Sequence, residues 1–221
     1  MSEVRGLRLT TSAALKEQRL AALLREGRPD AAARAAIEDA QVAGSLELAG
    51  LSLAAEETER LRSALRAVDP GASLSVAALV AWHRAATGEA GYRTSERSRI
   101  AGPAPAPPSM IAGRLAILEQ WMNADSARQL KPAEQGALVM ARVIEILPFE
   151  DGNGRVARLA ASHLMVQAGA RPPLLGGSDR ARLEDALRAA FRLETQALTA
   201  LLAEASERAL DLMIAALEGR G

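Results

Sequence analysis

Aromatic side chains are almost missing from this chain: two Trp, one Tyr and two Phe among 221 residues, in a composition that is 49% hydrophobic. The interior must therefore be built from Ala, Leu, Val and Ile. Side chains of that size suit closely approaching helices, whereas packed sheets rely on aromatic and β-branched residues across a pleated face. The expected fold class is all-α, and the apolar spacing agrees with it. In SAALKEQRLAALLREG, starting at Ser12, Leu15, Leu20, Leu23 and Leu24 fall on roughly one helical face. A second helix is expected from Asp30 to a stop near Gly44, and a third is capped by Ser52 with Glu56 near the capping-box position. SVAALVAWHRAATG reads as a helix buried along Val76, Leu79, Val80 and His83. MIAGRLAILEQWMN, PAEQGALVMARVIEIL, RVARLAASHLMVQAG, SDRARLEDALRAAF and a long stretch to Leu217 complete the series.

Charge and cysteine content narrow the function classes. Lys+Arg and Asp+Glu both number 27, so the basic excess of a generic nucleic-acid binder is absent. There is no cysteine, which removes disulfides, thiolate catalysis and cysteine metal sites together. MSEVRGLRLT lacks the apolar core of a signal peptide. No apolar run approaches the roughly 18–20 residues of a membrane span. A cytoplasmic protein is expected, without a membrane partner. No internal repeat appears. The expected organisation is an N-terminal helical segment over residues 1–44 on a larger unit over residues 45–221, together one compact body.

Two stretches break the helical pattern. GEAGYRTSERSRIAGPAPAPPS has no helical period; its first half reads as a short hairpin or a solvated loop, its second as a polyproline-like lead-in. The other is LPFEDGNGRVAR, residues 147–158. Here an apolar helix ends at a proline, and a loop with two glycines feeds a second helix. Free N–H groups at such a helix start, with the helix dipole, attract anions. Arg155 and Arg158 lie three apart and share a face. Asp151 precedes the turn, where a carboxylate can hold Mg²⁺ against phosphate oxygens, and Asn153 adds a donor. The same residues also make an ordinary capped helix with solvated arginines, and composition alone does not separate the two readings.

The stretch resembles the signature of the Fic (Fido) domain family, His-Pro-Phe-x-Asp/Glu-Gly-Asn-Gly-Arg-x-x-Arg. Pro148, Phe149, Asp151, Gly152, Asn153, Gly154, Arg155 and Arg158 match it. GYRTSERSRIAG resembles the family's flap hairpin, APPSMIAGRLAILEQWMN its Pro-Pro segment and following helix, and QAGARPPLL the segment after the motif helix. The resemblance implies an all-α Fic-like bundle with one small β-hairpin flap. It implies ATP and Mg²⁺ as ligands, with Asp151 on the metal and Gly152, Asn153, Gly154, Arg155 and Arg158 on the phosphates. It also implies a flap, carrying Arg93, Thr94, Ser95, Arg99 and Ile100, that docks a protein target as an added strand. Members typically transfer AMP from ATP to a protein hydroxyl.

Two departures stand out. The motif His, which removes the hydroxyl proton, corresponds to Leu147. A general base contributes roughly 10²–10⁴-fold, and leucine supplies none. His83, His163 and Glu150 are the candidates to replace it. His163 stands eight residues beyond Arg155 on the same helix, roughly 12 Å along the axis. GSLELAG resembles the family's inhibitory motif, with Ser45 and Gly50 in place but Ala49 at the position of the glutamate that pairs with the second motif arginine. Glu47 is about 200° around a helix from that position. Both losses together predict a nucleotide-binding pseudoenzyme or regulator. An active transferase with a substitute base, and an interaction module with a vestigial turn, acting through the flap or as a homodimer, are the open alternatives.

Overall fold

A computed structural model describes residues 2–26, 30–98 and 103–219, with backbone only for residues 2–11 and Asp30. Ten α-helices follow one another: α1 Ser2–Arg25, α2 Asp30–Ala49, α3 Ala55–Arg66, α4 Val76–Thr87, α5 Ile111–Met122, α6 Asp125–Arg128, α7 Pro132–Ile146, α8 Asn153–Gln167, α9 Arg180–Ala190 and α10 Gln196–Glu218. Among the described residues there is no strand. The all-α class holds, but the expected hairpin flap does not. Residues 92–98 are irregular backbone, and Arg99 and Ile100 lie outside the described residues. What ties 92–98 down is side-chain chemistry, set out below, in place of a strand ladder.

The α7–α8 pair forms the centre. Along α7, Val139, Met140 and Val143 are buried; along α8, Val156, Leu159, Ala160, Leu164 and Met165 are buried. Apolar residues thus line most of both helices, with Arg142 on the exposed side of α7. α4 covers α8 with Leu79, Trp82 and Ala86; α5 covers α7 with Ile111, Leu115 and Leu118; α10 closes the far side with Leu198, Leu201 and Leu202. A second apolar cluster joins α1, α2 and the end of α10 through Leu20, Leu23, Ile37, Leu210 and Met213. No described helix is long and apolar enough to cross a membrane.

Three expected details are corrected. α3 starts at Ala55 behind an uncapped Ala54, not at Ser52. In α4 the buried face runs through Leu79, Trp82, His83 and Ala86, with Val76 and Val80 only half-buried. α2 does not stop at Gly44 but continues to Ala49. Glycine is needed there for proximity rather than for termination. A Cβ on Gly44 would stand 2.0 Å from the Leu175 carbonyl oxygen. That approach seats the end of α2 against the segment after α8, and so brings Ser45 to Arg158.

Gly44→Ala is therefore expected to force backbone apart. Overpacking of this kind costs about 1–3 kcal/mol, which lowers the melting temperature by roughly 3–10 °C in a chain of this size. Thermal unfolding followed by circular dichroism checks it; an unchanged midpoint would contradict the close approach.

Candidate functional site

The site forms where α7 hands over to α8. The last carbonyls of a helix lack intrahelical donors and carry the negative end of its dipole. At the end of α7 a buried guanidinium meets them. Arg93, 2% exposed, donates from Nε to the Leu147 carbonyl at 2.6 Å and from Nη2 to that of Ile146 at 3.5 Å. Its other donors reach the carbonyls of Ser95, at 2.6 Å, and Ala106. Its backbone N–H donates to Pro148 at 2.9 Å. Arg93 was expected on a target-docking surface; it is instead an internal clamp joining the segment before the motif, the proline-rich segment and the motif itself.

The clamp holds Leu147 in the left-handed region, φ 52° and ψ 62°. Leucine rarely adopts it, whereas His, Asn and Asp are several-fold enriched there. The backbone thus keeps a conformation suited to a residue other than the one present.

Beyond Pro148 the loop is braced from inside. Asn153 accepts from the Phe149 N–H through Oδ1 at 2.9 Å and donates through Nδ2 to the Phe149 carbonyl at 2.8 Å. Its side chain is thereby committed to the loop and does not offer the phosphate donor expected of it. Phe149 is fully buried, and His83 stacks on its ring at 3.8 Å with a 6° tilt. His83 Nε2 lies 3.1 Å from the Asp151 carbonyl, so Nε2 carries the proton and donates. Nδ1 is buried without a partner among the described residues, and burial, ahead of the nearby Arg155 charge, lowers the His83 pKa. Gly152 then turns the chain at φ 76°, where a Cβ would meet Thr87 Cγ2 at 2.5 Å. Only glycine fits that space and that backbone.

α8 begins at Asn153 with Gly152 as its cap. The N–H groups of Asn153, Gly154 and Arg155 have no acceptor among the described residues, and the first helical bond runs from Val156 to Gly152 at 3.0 Å. Arg155 is 4% exposed and donates to the Ala86 carbonyl at 2.9 Å and to Asp151 Oδ2 at 2.6 Å, with Glu57 at 3.5 Å. Its Nε is buried with no partner among the described residues. Arg155 is therefore half structural. Arg158 donates to Ser45 Oγ at 2.9 Å and to the Ser45 carbonyl at 2.8 Å. No carboxylate pairs with it among the described residues. Burial first, then Arg155 and Arg180, push its pKa down to about 9, which leaves it charged at neutral pH. Its Nη1 lies 3.1 Å from where a Gly154 Cβ would stand, against the start of α8. Two guanidinium groups and three N–H groups without acceptors among the described residues thus gather at the start of α8.

Ala49 is exposed at the end of α2, beside Gly50 at φ 72°. Glu47 accepts from the Gly177 N–H at 2.9 Å, away from Arg158. The Asp151 side chain is 81% exposed. Among the described residues no three metal-ligating side chains gather. A single exposed carboxylate does fit Mg²⁺ that is held mainly by phosphate oxygens and water.

Glu150 is the residue whose role the sequence did not disclose. Its carboxylate accepts from the N–H groups of Thr94, at 3.2 Å, and Ser95, at 3.4 Å, from Ser95 Oγ at 3.1 Å and from Arg97. Arg97 above all, then those N–H and hydroxyl donors, pull its pKa down to about 2. So weak a base cannot stand in for a histidine near neutral pH. His163, 2% exposed and tilted against Trp82 at 5.5 Å, belongs to the core.

Comparison with known proteins agrees with this geometry. Residues 73–165 match the Fic/DOC family. Over 115 residues the chain is 29% identical to a protein adenylyltransferase Fic of Drosophila grimshawi, covering 52% of this chain and 24% of the relative. The chain thus spans about a quarter of the length of that relative. The fold is similar to that of a Fic domain containing signaling protein from Bacteroides thetaiotaomicron, with TM-score 0.79 and 20% identity over 95% of this chain and 99% of the other. It is also similar to IbpAFic2 in a complex with adenylylated Cdc42, with TM-score 0.55 and 20% identity over 90% and 69%.

Two outcomes are expected from the loop. Left-handed backbone costs a non-glycine residue about 1–2 kcal/mol, and asparagine tolerates it better. Leu147→Asn is thus expected to raise stability by about 0.5–1 kcal/mol in urea unfolding, and a clear loss would contradict the strain. Because the Glu150 pKa is depressed, its anchoring is complete above the ordinary 4.5 and is lost as pH falls toward about 2. Amide resonances of Thr94 and Ser95 should shift only across that acid range; a transition near pH 6 would point to another group.

Proposed function

Because the chain belongs to the Fic/DOC family, we propose that it is a nucleotide-binding member without transferase chemistry, a pseudoenzyme or regulator working through its phosphate turn. The observation that carries this reading is a contrast within twelve residues. The open N–H groups of Asn153, Gly154 and Arg155 and the carboxylate-free Arg158 suit a polyphosphate. The position above them that must accept a proton holds the hydrocarbon Leu147.

ATP with Mg²⁺ is the ligand class favoured by the family. The relatives are named adenylyltransferases, and one structural neighbour is seen with an adenylylated protein. In this reading Asp151 holds the metal, whose role is to neutralise phosphate charge. Arg158 and the α8 amides orient the phosphates, and Arg155 positions Asp151 through its 2.6 Å contact. A protein target at the segment following Arg93, presented by the Glu150 anchor through Thr94 and Ser95, is part of the same proposal. So are a cytoplasmic location and the division of the chain between residues 44 and 45. In this reading none of the three candidates replaces the base: Glu150 is held ionised, His83 donates to the Asp151 carbonyl, and His163 is in the core.

Calorimetric titration with ATP and Mg²⁺ is expected to give saturable heat, weakened at least about tenfold in Arg158→Ala, since hydrogen bonds to a charged group contribute about 1.5–3 kcal/mol. Absence of heat would leave only an interaction role. Wild-type protein should transfer no label from labelled ATP to itself or to added proteins, while Leu147→His should gain self-labelling. Robust labelling by the wild type would overturn the pseudoenzyme reading.

A further inference from the structure

The last turn of α2 holds two guanidinium groups that come from different helices. Arg158 of α8 donates to the Ser45 carbonyl at 2.8 Å. Arg180, the first residue of α9, donates from Nη1 to the Leu48 carbonyl at 3.0 Å and from Nη2 to that of Glu47. Ser45 and Leu48 are three residues apart, about 4.5 Å along a helix axis. The two cations thus stand side by side at the end of α2, where the helix dipole favours positive charge. Arg180 is outside the motif over residues 147–158, yet its charge is felt at Arg158, whose pKa it lowers after burial and Arg155.

Holding α2 does not exhaust either side chain. A guanidinium carries more N–H donors than two bonds use. Arg180 spends one from each Nη, which leaves its Nε–H and a second proton on each Nη, and the residue is exposed. Arg158 makes no bond through Nη1 among the described residues. The neighbouring carboxylates are engaged elsewhere. Glu47 accepts from the Gly177 N–H at 2.9 Å. Asp179, 5% exposed, accepts from the Gly176 N–H at 3.0 Å and from Arg208 at 2.7 Å. Among the described residues no carboxylate pairs with Arg180.

We propose that Arg180 is a third guanidinium of the phosphate site and makes it select a nucleoside triphosphate over a di- or monophosphate. The proposal rests on the phosphate-turn reading given above. Arg155 binds Asp151 at the start of α8, Arg158 stands about one turn further along and binds Ser45, and Arg180 follows on the same turn of α2. A phosphate chain that begins at the α8 amides therefore passes Arg155, Arg158 and Arg180 in that order. The far end of this row offers nothing on which a base could stack. Ser45, Glu47, Leu48, Gly176 and Gly177 form it, and none is aromatic. The terminal phosphate, rather than the ring, belongs there. Arg180 is already positioned by α2 and can donate to that phosphate without leaving it, through charge-assisted bonds stronger than those to neutral carbonyls.

Calorimetric titration with ATP, ADP and AMP, each with Mg²⁺, tests this on the wild type and three variants. The wild type should bind ATP at least about tenfold more tightly than ADP. Arg180→Ala should lose about tenfold for ATP and less than about twofold for ADP and AMP. Arg180→Gln, which keeps a donor for the α2 carbonyls but no charge, should behave like Arg180→Ala. Arg180→Lys, which keeps the charge, should retain most of the preference for ATP. A residue that merely caps α2 gives the opposite pattern: glutamine rescues, and all three nucleotides weaken alike. That pattern, or a preference for ATP that no Arg180 variant changes, would overturn the proposal and leave the phosphate-turn reading standing. A wild type that binds none of the three nucleotides would overturn both.

Discussion

A buried guanidinium at the end of a helix organises this protein. Arg93 places its positive charge against the negative end of α7 and satisfies carbonyls that no backbone donor can reach. Because it also binds the Ser95 and Ala106 carbonyls, three segments distant in sequence meet at one cation without a carboxylate among them. Such a charge is costly to bury unless every donor is satisfied. Here the polar partners are backbone oxygens whose positions are themselves fixed by helix geometry. The handover from α7 to α8 is thereby held from inside by Arg93 at Ile146, Leu147 and Pro148.

Helix existence was legible in the sequence because apolar spacing and the scarcity of aromatics both point to close helix packing. Boundaries were less so. Gly44 reads as a stop, yet it lies inside α2 because a neighbouring carbonyl excludes any side chain there; only the tertiary contact carries that information. The hairpin expected over YRTSERSRI is absent among its described residues, 92–98, for a related reason. The family resemblance implied a strand there, but Thr94, Ser95 and Arg97 bond to Glu150 rather than to a partner strand.

The residues expected at the turn lie together at the start of α8, and two side chains expected to face a ligand or target make hydrogen bonds within the protein instead. Asn153 looks like a phosphate donor, and Arg93 like a surface residue. Both are committed to the loop's own carbonyls and amides. Sequence spacing places a side chain near a site but does not say which of two nearby acceptors will claim it. Arg158 is the opposite case. The spacing put it beside Arg155, and the structure adds that its neighbour on α2 is a hydroxyl and a carbonyl rather than a carboxylate. Ala49 carries no carboxylate, and Arg158 has none beside it among the described residues.

Phosphate binding at the start of α8 is tested most directly by a crystal structure grown with a non-hydrolysable ATP analogue and Mg²⁺. Density for a phosphate within hydrogen-bond reach of the Gly154 and Arg155 amides and of Arg158, with the metal bridging to Asp151, is the predicted result. A nucleotide seated elsewhere, or a start of α8 filled by the protein's own side chains at saturating ligand, would contradict it.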